Sequence, residues 1–507
     1  MVNSQRSDAE PISNSQPFSP ANRELVPASA AWELGVDAAS TRWTLAAYAY
    51  GLFAVLGLAY VLLDMPIQVA DGYTNMIGLG QRSLLDGVYS EFFQRSYLRP
   101  LLWGQQHVVY MLANGRYFEW FRGWHVVQVL LLVVLFIRLL RPRTIADVAA
   151  LPLGLAILLG MHTFIGTVVE AYPINTYMTI LLCTAGAADI ALGSPTRWRD
   201  LAAVVLFAFA ALTVESGLLV WVVFVAAWLT GARGVSRGAI VTLTVLFAGY
   251  FVLRFGILDV GSPGLIERSS GYGFRSRDPQ ELIAMFGANP WRFYGYNVVS
   301  SILSVLWSEP RAGVWDLTER VVDHVRFSRP MMVNMVASTL ATGVLMRFVW
   351  RRRRQWRVRL FERADRIVLI FAAVLVANGA LSYGYTKDVM MSPAGVFYAL
   401  AVTVATGDLI GRTPRGAGVT VVLAMLMAAM SAAWAVRAVA VHVAVRQSGM
   451  AVREQWAYLD QWLETQHKSA ADPAALALQR QLQDDAIVRH PGKPALTGDW
   501  LTWLEGQ

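Results

Sequence analysis

A chain of 507 residues in which 55% are hydrophobic and 15% charged is too apolar for a water-soluble globular protein, where about 25% of residues carry charge. Its formal net charge of +8 does not describe a nucleic-acid surface, because the cations fall in short clusters between apolar runs, as membrane-topology signals do. The single cysteine, Cys183, excludes an intramolecular disulfide and a cysteine-based zinc site.

The first 43 residues are polar and rich in Ser, Pro and Asn, and no apolar run begins before Thr44. That is too late for the core of a cleavable signal peptide, so residues 1–43 read as a disordered cytoplasmic tail. Apolar runs of about 17–25 residues can cross a bilayer as helices. They recur near 44–63, 122–140, 145–162, 173–192, 200–213, 217–230, 239–258, 331–350, 367–383, 394–409 and 417–440. The fold class expected is therefore all-α: a polytopic transmembrane helical domain over 44–440 with about eleven spans, the fifth and sixth short enough to be tilted or re-entrant.

Threading these spans from a cytoplasmic N-terminus sends the arginines to one side. Arg138, Arg141 and Arg143 fall there with Arg197, Arg199, Arg233 and Arg237, and so does the Arg351 to Arg354 block with Arg357, Arg359, Arg412 and Arg415. One miscounted span would have scattered them, so the positive-inside pattern supports the threading.

The opposite, extracytoplasmic side then receives the loops of mixed chemistry. In the first, 64–121, Leu98, Leu101, Leu102, Val108, Val109 and Leu112 recur at helical spacing, which describes an amphipathic helix in the interface. The second, 259–330, opens on Gly261-Ser262-Pro263-Gly264 and carries Trp291, Phe293, Tyr294, Tyr296 and Trp307. These suit an interfacial aromatic belt or a platform for sugar or lipid. Residues 441–507 read as an extracytoplasmic helical tail with one amphipathic helix around Trp456, Tyr458, Trp462 and Leu463.

Charges that topology does not explain mark functional positions at membrane depth. Asp71 follows the first span, Glu170 precedes the fourth, Glu215 lies in the turn between the fifth and sixth, and Lys387-Asp388 follow the ninth. His162 and Arg99 join them on the outer side. The set suits group transfer from a lipid-linked phosphate. Arg99, Lys387 or His162 would offset charge developing on the leaving phosphate, and Asp71 would take the proton of an attacking hydroxyl. Glu170 and Glu215 would hold a second substrate or position a cation. The chain has no Gly-x-x-x-x-Gly-Lys loop, His-Glu-x-x-His motif or Gly-x-Ser-x-Gly elbow.

At these residues the chain resembles the GT-C-fold glycosyltransferases related to the membrane O-mannosyltransferases. An acid, Asp71, follows the first span, and Tyr97-x-Arg99-Pro100-Leu101 ends the first loop as Tyr-x-Arg-Pro-Leu does in many such proteins. Met161-His162-Thr163 and Glu170-Ala171 are similar to a His-Pro-x-x-x-Glu-Ala segment, and Val214-Glu215-Ser216-Gly217 stands where Lys-Glu-x-Gly is common. Tyr385-Thr386-Lys387 through Ser392-Pro393 resembles a late loop ending in Tyr-x-x-Pro-Ser. The order of these segments over 44–410 implies an outer active site and a polyprenyl-phosphate-linked sugar as donor. It also implies a lipid, glycan or protein acceptor and an acid of the first loop acting on that acceptor. Asp71 is followed by Gly72 where many relatives have a second acid, so the resemblance implies a single base and leaves a divalent cation open. A surface-polysaccharide polymerase or ligase, and a transporter or flippase of a lipid-linked solute, are the alternative readings; membrane lipids are the expected surroundings in all three, and nucleic acid in none.

Overall fold

The computed structural model describes residues 28–63, 65, 70–93, 98–169, 176–258, 270–272, 275–277, 279–287, 291–307, 320–384, 388–412, 417–457 and 473–489. The first helix, α1 (Ala28–Leu62), starts well before the expected end of the tail. Ala28, Ala30 and Ala31 are strong helix formers, and they extend the apolar helix backwards. There follow α2 (Ala70–Gln81), α3 (Leu84–Phe93), α4 (Pro100–Ala113), α5 (Tyr117–Leu140), α6 (Ile145–Gly160), α7 (His162–Val169), α8 (Thr176–Ala191) and α9 (Arg197–Ala211). A short 3-10 turn, Glu215–Leu218, leads into α10 (Leu219–Leu229); α11 (Arg237–Phe251) continues as a π-helical turn, Val252–Ile257. The antiparallel pair β1 (Ser270–Tyr272) and β2 (Arg275–Arg277) is a small exception to an otherwise helical chain. After it come α12 (Pro279–Phe286), α13 (Trp291–Trp307), α14 (Arg329–Arg357), α15 (Arg363–Leu381), the 3-10 turn Asp388–Met391, α16 (Ser392–Arg412), α17 (Ala417–Ala457) and α18 (Pro473–Arg489).

Each expected apolar run overlaps a helix, and among the described residues seven helices are long and apolar enough to cross a membrane. Three more, Ile145–Gly160, Thr176–Ala191 and Glu215–Leu229, are apolar but shorter. A helix of about 16 residues rises about 24 Å, short of a hydrocarbon core about 30 Å thick. The helix at Arg197–Ala211, 15 residues long, joins neither group. Length separates three of the expected runs from the described spans, and Arg197–Ala211 carries Arg197, Arg199 and Asp200 in its first turn as well.

The bundle is built around α16. Its apolar span is 89% buried, and α6, α15, α14 and α8 pack on its flanks. Small residues permit this, because in lipid the packing of close backbones replaces the hydrophobic effect as the force between helices. Ala394, Gly395, Ala399, Ala401 and Ala405 lie along α16. A Cβ at Gly154 of α6 would stand 2.1 Å from Thr403 Oγ1, so glycine is what lets α6 reach the central helix.

In the segment 259–330, α13 lies against α15 and buries Phe293, Asn297, Ser300, Ser301, Ser304 and Val305. It is a packed element of the bundle, held by Asn297 Nδ2 donating to Tyr383 O at 2.8 Å. In the segment 64–121, an amphipathic helix is present as α4. Val108, Met111 and Leu112 are exposed while Trp103, Gln106 and His107 are buried. This exposure suits the expected interfacial helix, whose apolar face meets lipid and not a protein core. Beside it, α18 packs on α2: Leu482 is buried among Met76, Leu79, Trp103 and Phe121, and Gln481 Nε2 donates to Gly115 O at 2.6 Å. Trp456 falls within α17; Tyr458, Trp462 and Leu463 lie outside the described residues.

At the arginine-rich end, Arg363 closes two helices at once. Its Nε and Nη2 donate to Leu139 O at 3.2 and 3.0 Å, and its Nη1 donates to Leu192 O at 3.1 Å. Arg366 Nε does the same for Thr230 O at 3.2 Å. Carbonyls in the last turn of a helix have no intrahelical partner, and a cation satisfies them and meets the negative end of the dipole. Arg363→Ala is expected to lower stability by about 2–3 kcal/mol, since hydrogen bonds from a charged donor are worth about 1.5–3 kcal/mol each and the carbonyls lose their partner together. Thermal unfolding in detergent measures this.

Candidate functional site

Arg99 and Glu215, 116 residues apart in sequence, meet at the mouth of the bundle. Arg99 Nη2 donates to Glu215 Oε2 at 2.8 Å and its Nε to the same oxygen at 3.2 Å. Local structure places each partner. Pro100 at the first position of α4 needs no backbone N–H there. Leu101 N then donates to Leu212 O at 3.1 Å, tying α4 to the end of α9. Gln105 Nε2 donates to Thr213 Oγ1 at 3.0 Å, and Gln128 Nε2 donates to Thr179 Oγ1 at 3.1 Å. Thr179 Oγ1 donates to Gln105 Oε1 at 3.3 Å and completes a polar chain from α5 through α8 to α4 and the end of α9. Glu215 opens a 3-10 turn that glycine makes possible, because a Cβ at Gly217 would stand 2.0 Å from Ala210 O.

A third residue completes the site. Arg254 Nη1 donates to Glu215 Oε1 at 2.9 Å and to Tyr250 Oη at 3.0 Å. Its side chain is 9% exposed, against 25% for Glu215 and 31% for Arg99. It lies on the π-helical turn after α11, a winding that widens a helix locally and recurs at functional sites. Among the described residues, two guanidinium groups thus share one carboxylate. Among the same residues, Arg254 Nε is buried with no hydrogen-bond partner. Burial pushes the Glu215 carboxyl up, while Arg99 and Arg254 pull it down and prevail, so it titrates below its ordinary 4.5. Such an arrangement can hold an anion over a fixed, ionised counter-charge.

A second group of candidates gathers elsewhere on the chain. His162 is buried at the start of α7, and α7 packs against the turn Asp388–Met391. Ser392 Oγ donates to Thr163 O at 3.0 Å and lies 2.8 Å from Thr167 Oγ1. Asp71 is the second residue of α2 and Asp388 the first of its 3-10 turn, but their side chains lie outside the described residues; Glu170 and Lys387 lie outside them altogether. Among the described residues no three His, Cys, Asp or Glu side chains gather as a metal ion would require. The acids Asp71, Glu170 and Asp388 are not in that set.

Arg254 and Tyr250 were not singled out from the sequence. The available signal was a lone arginine in the otherwise uncharged run 239–258, which is costly at membrane depth and calls for a partner.

Glu215→Gln removes the counter-charge from the buried Arg254 and is expected to cost about 3 kcal/mol, the range found when one partner of a buried pair is deleted. Because the folded carboxyl titrates below its unfolded value, the stabilisation from Glu215 is present above pH 4.5 and is lost as pH falls through the lower folded value. Unfolding followed in detergent from pH 7 downwards is expected to show this loss in the wild type and not in Glu215→Gln. No family model matches the chain, and no curated protein or solved structure matches it either.

Proposed function

We propose that this chain is a membrane glycosyltransferase that moves a sugar from a polyprenyl-phosphate donor to an acceptor hydroxyl on the extracytoplasmic side. The observation that carries the reading is the Arg99–Glu215–Arg254 cluster, where among the described residues two guanidinium groups face one carboxylate and the buried Arg254 Nε has no hydrogen-bond partner. The order of segments similar to GT-C glycosyltransferases, with Asp71 after the first span and Tyr97-x-Arg99-Pro100-Leu101 closing the loop, supports the same reading.

In the reaction proposed, the acceptor oxygen bonds to the anomeric carbon of the sugar as the bond from that carbon to the phosphate oxygen breaks. The bonding electrons leave with the lipid phosphate, and the acceptor's proton passes to the Asp71 carboxylate. Charge grows on the departing phosphate, and the guanidinium groups of Arg99 and Arg254 stabilise it there more than in the donor's ground state. Glu215 holds the two guanidinium groups at fixed positions, so little reorganisation accompanies the step. His162, Glu170, Lys387 and Asp388 are assigned to substrate binding.

The test is transfer of radiolabelled sugar from a polyprenyl-phosphate donor in vesicles holding the purified chain and an extract of its native membranes as acceptor. Asp71→Asn is expected to lower turnover by about 100-fold or more, the usual contribution of a general base, while the protein stays folded in the membrane. Arg99→Lys keeps the charge and loses the fork of donors; it is expected to raise the donor KM about tenfold, one lost charge-assisted contact. Full transfer by Asp71→Asn removes that residue as the base. Absence of transfer from any polyprenyl-phosphate sugar by the wild type removes the reading.

A further inference from the structure

The arginine-rich end of the bundle holds two neighbouring cavities that share Asp408 and Arg412. They differ in charge. In the first, of about 290 Å³, the cations have partners at hand: Arg352 pairs with Glu362 and stands 3.4 Å from Asp365, and Arg363 is spent on helix carbonyls. It is an ion-pair belt that closes on itself.

The second cavity, of about 360 Å³, opens between α14, α16 and α17. Three guanidinium groups, Arg347, Arg351 and Arg412, border it with one carboxylate, Asp408. Asp408 is taken twice, by Arg351 and by Arg412 Nε at 2.9 Å. Among the described residues no carboxylate pairs with Arg347. Below the charges the wall is apolar: Val419, Val422, Leu423 and Leu426 repeat at helical spacing and form a single stripe along α17. Three of them are 55%, 67% and 43% exposed, for Val419, Val422 and Leu426. A positively charged rim thus sits over an uncovered hydrocarbon groove that runs into the membrane-spanning part of α17.

We propose that this groove is a binding site for one anionic phospholipid, its phosphate between Arg347, Arg351 and Arg412 and an acyl chain along Val419, Val422 and Leu426. Charge complementarity decides the occupant. A neutral lipid would fill the apolar stripe and leave the excess positive charge unmet, whereas a net anionic headgroup offsets it where low dielectric strengthens the pairing. The assignment stands apart from the transferase reading and does not depend on it.

The test uses the full chain purified in neutral detergent and titrated with phosphatidylglycerol or phosphatidylcholine, with bound lipid counted by native mass spectrometry. The wild type is expected to take up one phosphatidylglycerol at a concentration about tenfold lower than phosphatidylcholine. The pair Arg347→Gln and Arg412→Gln is expected to abolish that preference. Val422→Trp, which fills the groove with every arginine kept, is expected to abolish it too. Arg353→Gln with Arg354→Gln removes equal charge outside the cavity and is expected to leave it intact. Equal uptake of the two lipids by the wild type overturns the proposal. So does equal loss from the Arg353 and Arg354 pair, which would show a diffuse charged surface, or a preference that survives Val422→Trp. A thermal midpoint for each variant within a few degrees of wild type confirms that the comparison is between folded proteins.

Discussion

The backbone packing of α16 is the constraint on which the other elements depend. A helix buried on every side in a membrane bundle cannot draw on hydrophobic exclusion to hold its neighbours, so it needs close approach, and its run of Ala and Gly supplies that. Both ends of the molecule then hang from the same rod. At its first residue Ser392 fixes α7 and the turn that carries Asp388; one turn before its last, Asp408 gathers Arg351 and Arg412. A bulky substitution in the middle of α16 would therefore disturb polar groups at both membrane faces, although none of them touches the substituted position.

The two charged regions solve one electrostatic problem in different ways. At the arginine-rich end Arg352 is matched by carboxylates and Arg363 and Arg366 by helix carbonyls, and the stabilisation from these residues is structural. At the mouth, one carboxylate stands between two guanidinium groups, one of them buried. Desolvation makes such a site expensive unless its hydrogen bonds are met. The unmet Arg254 Nε is a cost that the fold carries, and it is the physical reason to look for function there before the better-balanced clusters.

Helix positions, and Arg99 and Glu215 as charges that topology does not need, were legible because both obey simple rules, whereas the pairing of Arg99 with Glu215 was not read from the sequence. Apolar runs are helices when lipid is the solvent, and acids and bases that topology does not need collect where chemistry is done. Arg254 was hidden by the same hydropathy that reveals a span, since one arginine barely changes the mean of 20 residues. The hydrophobic pattern of α4 shows which residues avoid water and not whether they meet protein or lipid. The inner face of α18 carries Gln479 and Ala475 beside Leu482, so no amphipathic stripe announced its docking. Span number was the weakest inference, because helices of 15 and 16 residues in a bundle can be buried without crossing the bilayer.

The contact of α18 with the first outer loop has a consequence for how the protein is made. Gln481 and Gly115 are 366 residues apart, and Leu482 fills a place among Met76, Leu79 and Trp103. During synthesis the loop reaches the membrane surface long before its partner exists, and for that interval Trp103 and its neighbours are uncovered. This contact is therefore among the last parts of the molecule to be finished, whatever the order in which the helices insert. A ribosome that stalls after α17 leaves a bundle whose spans are all present and whose first loop is still open, a product that a quality-control protease could recognise by that exposed patch.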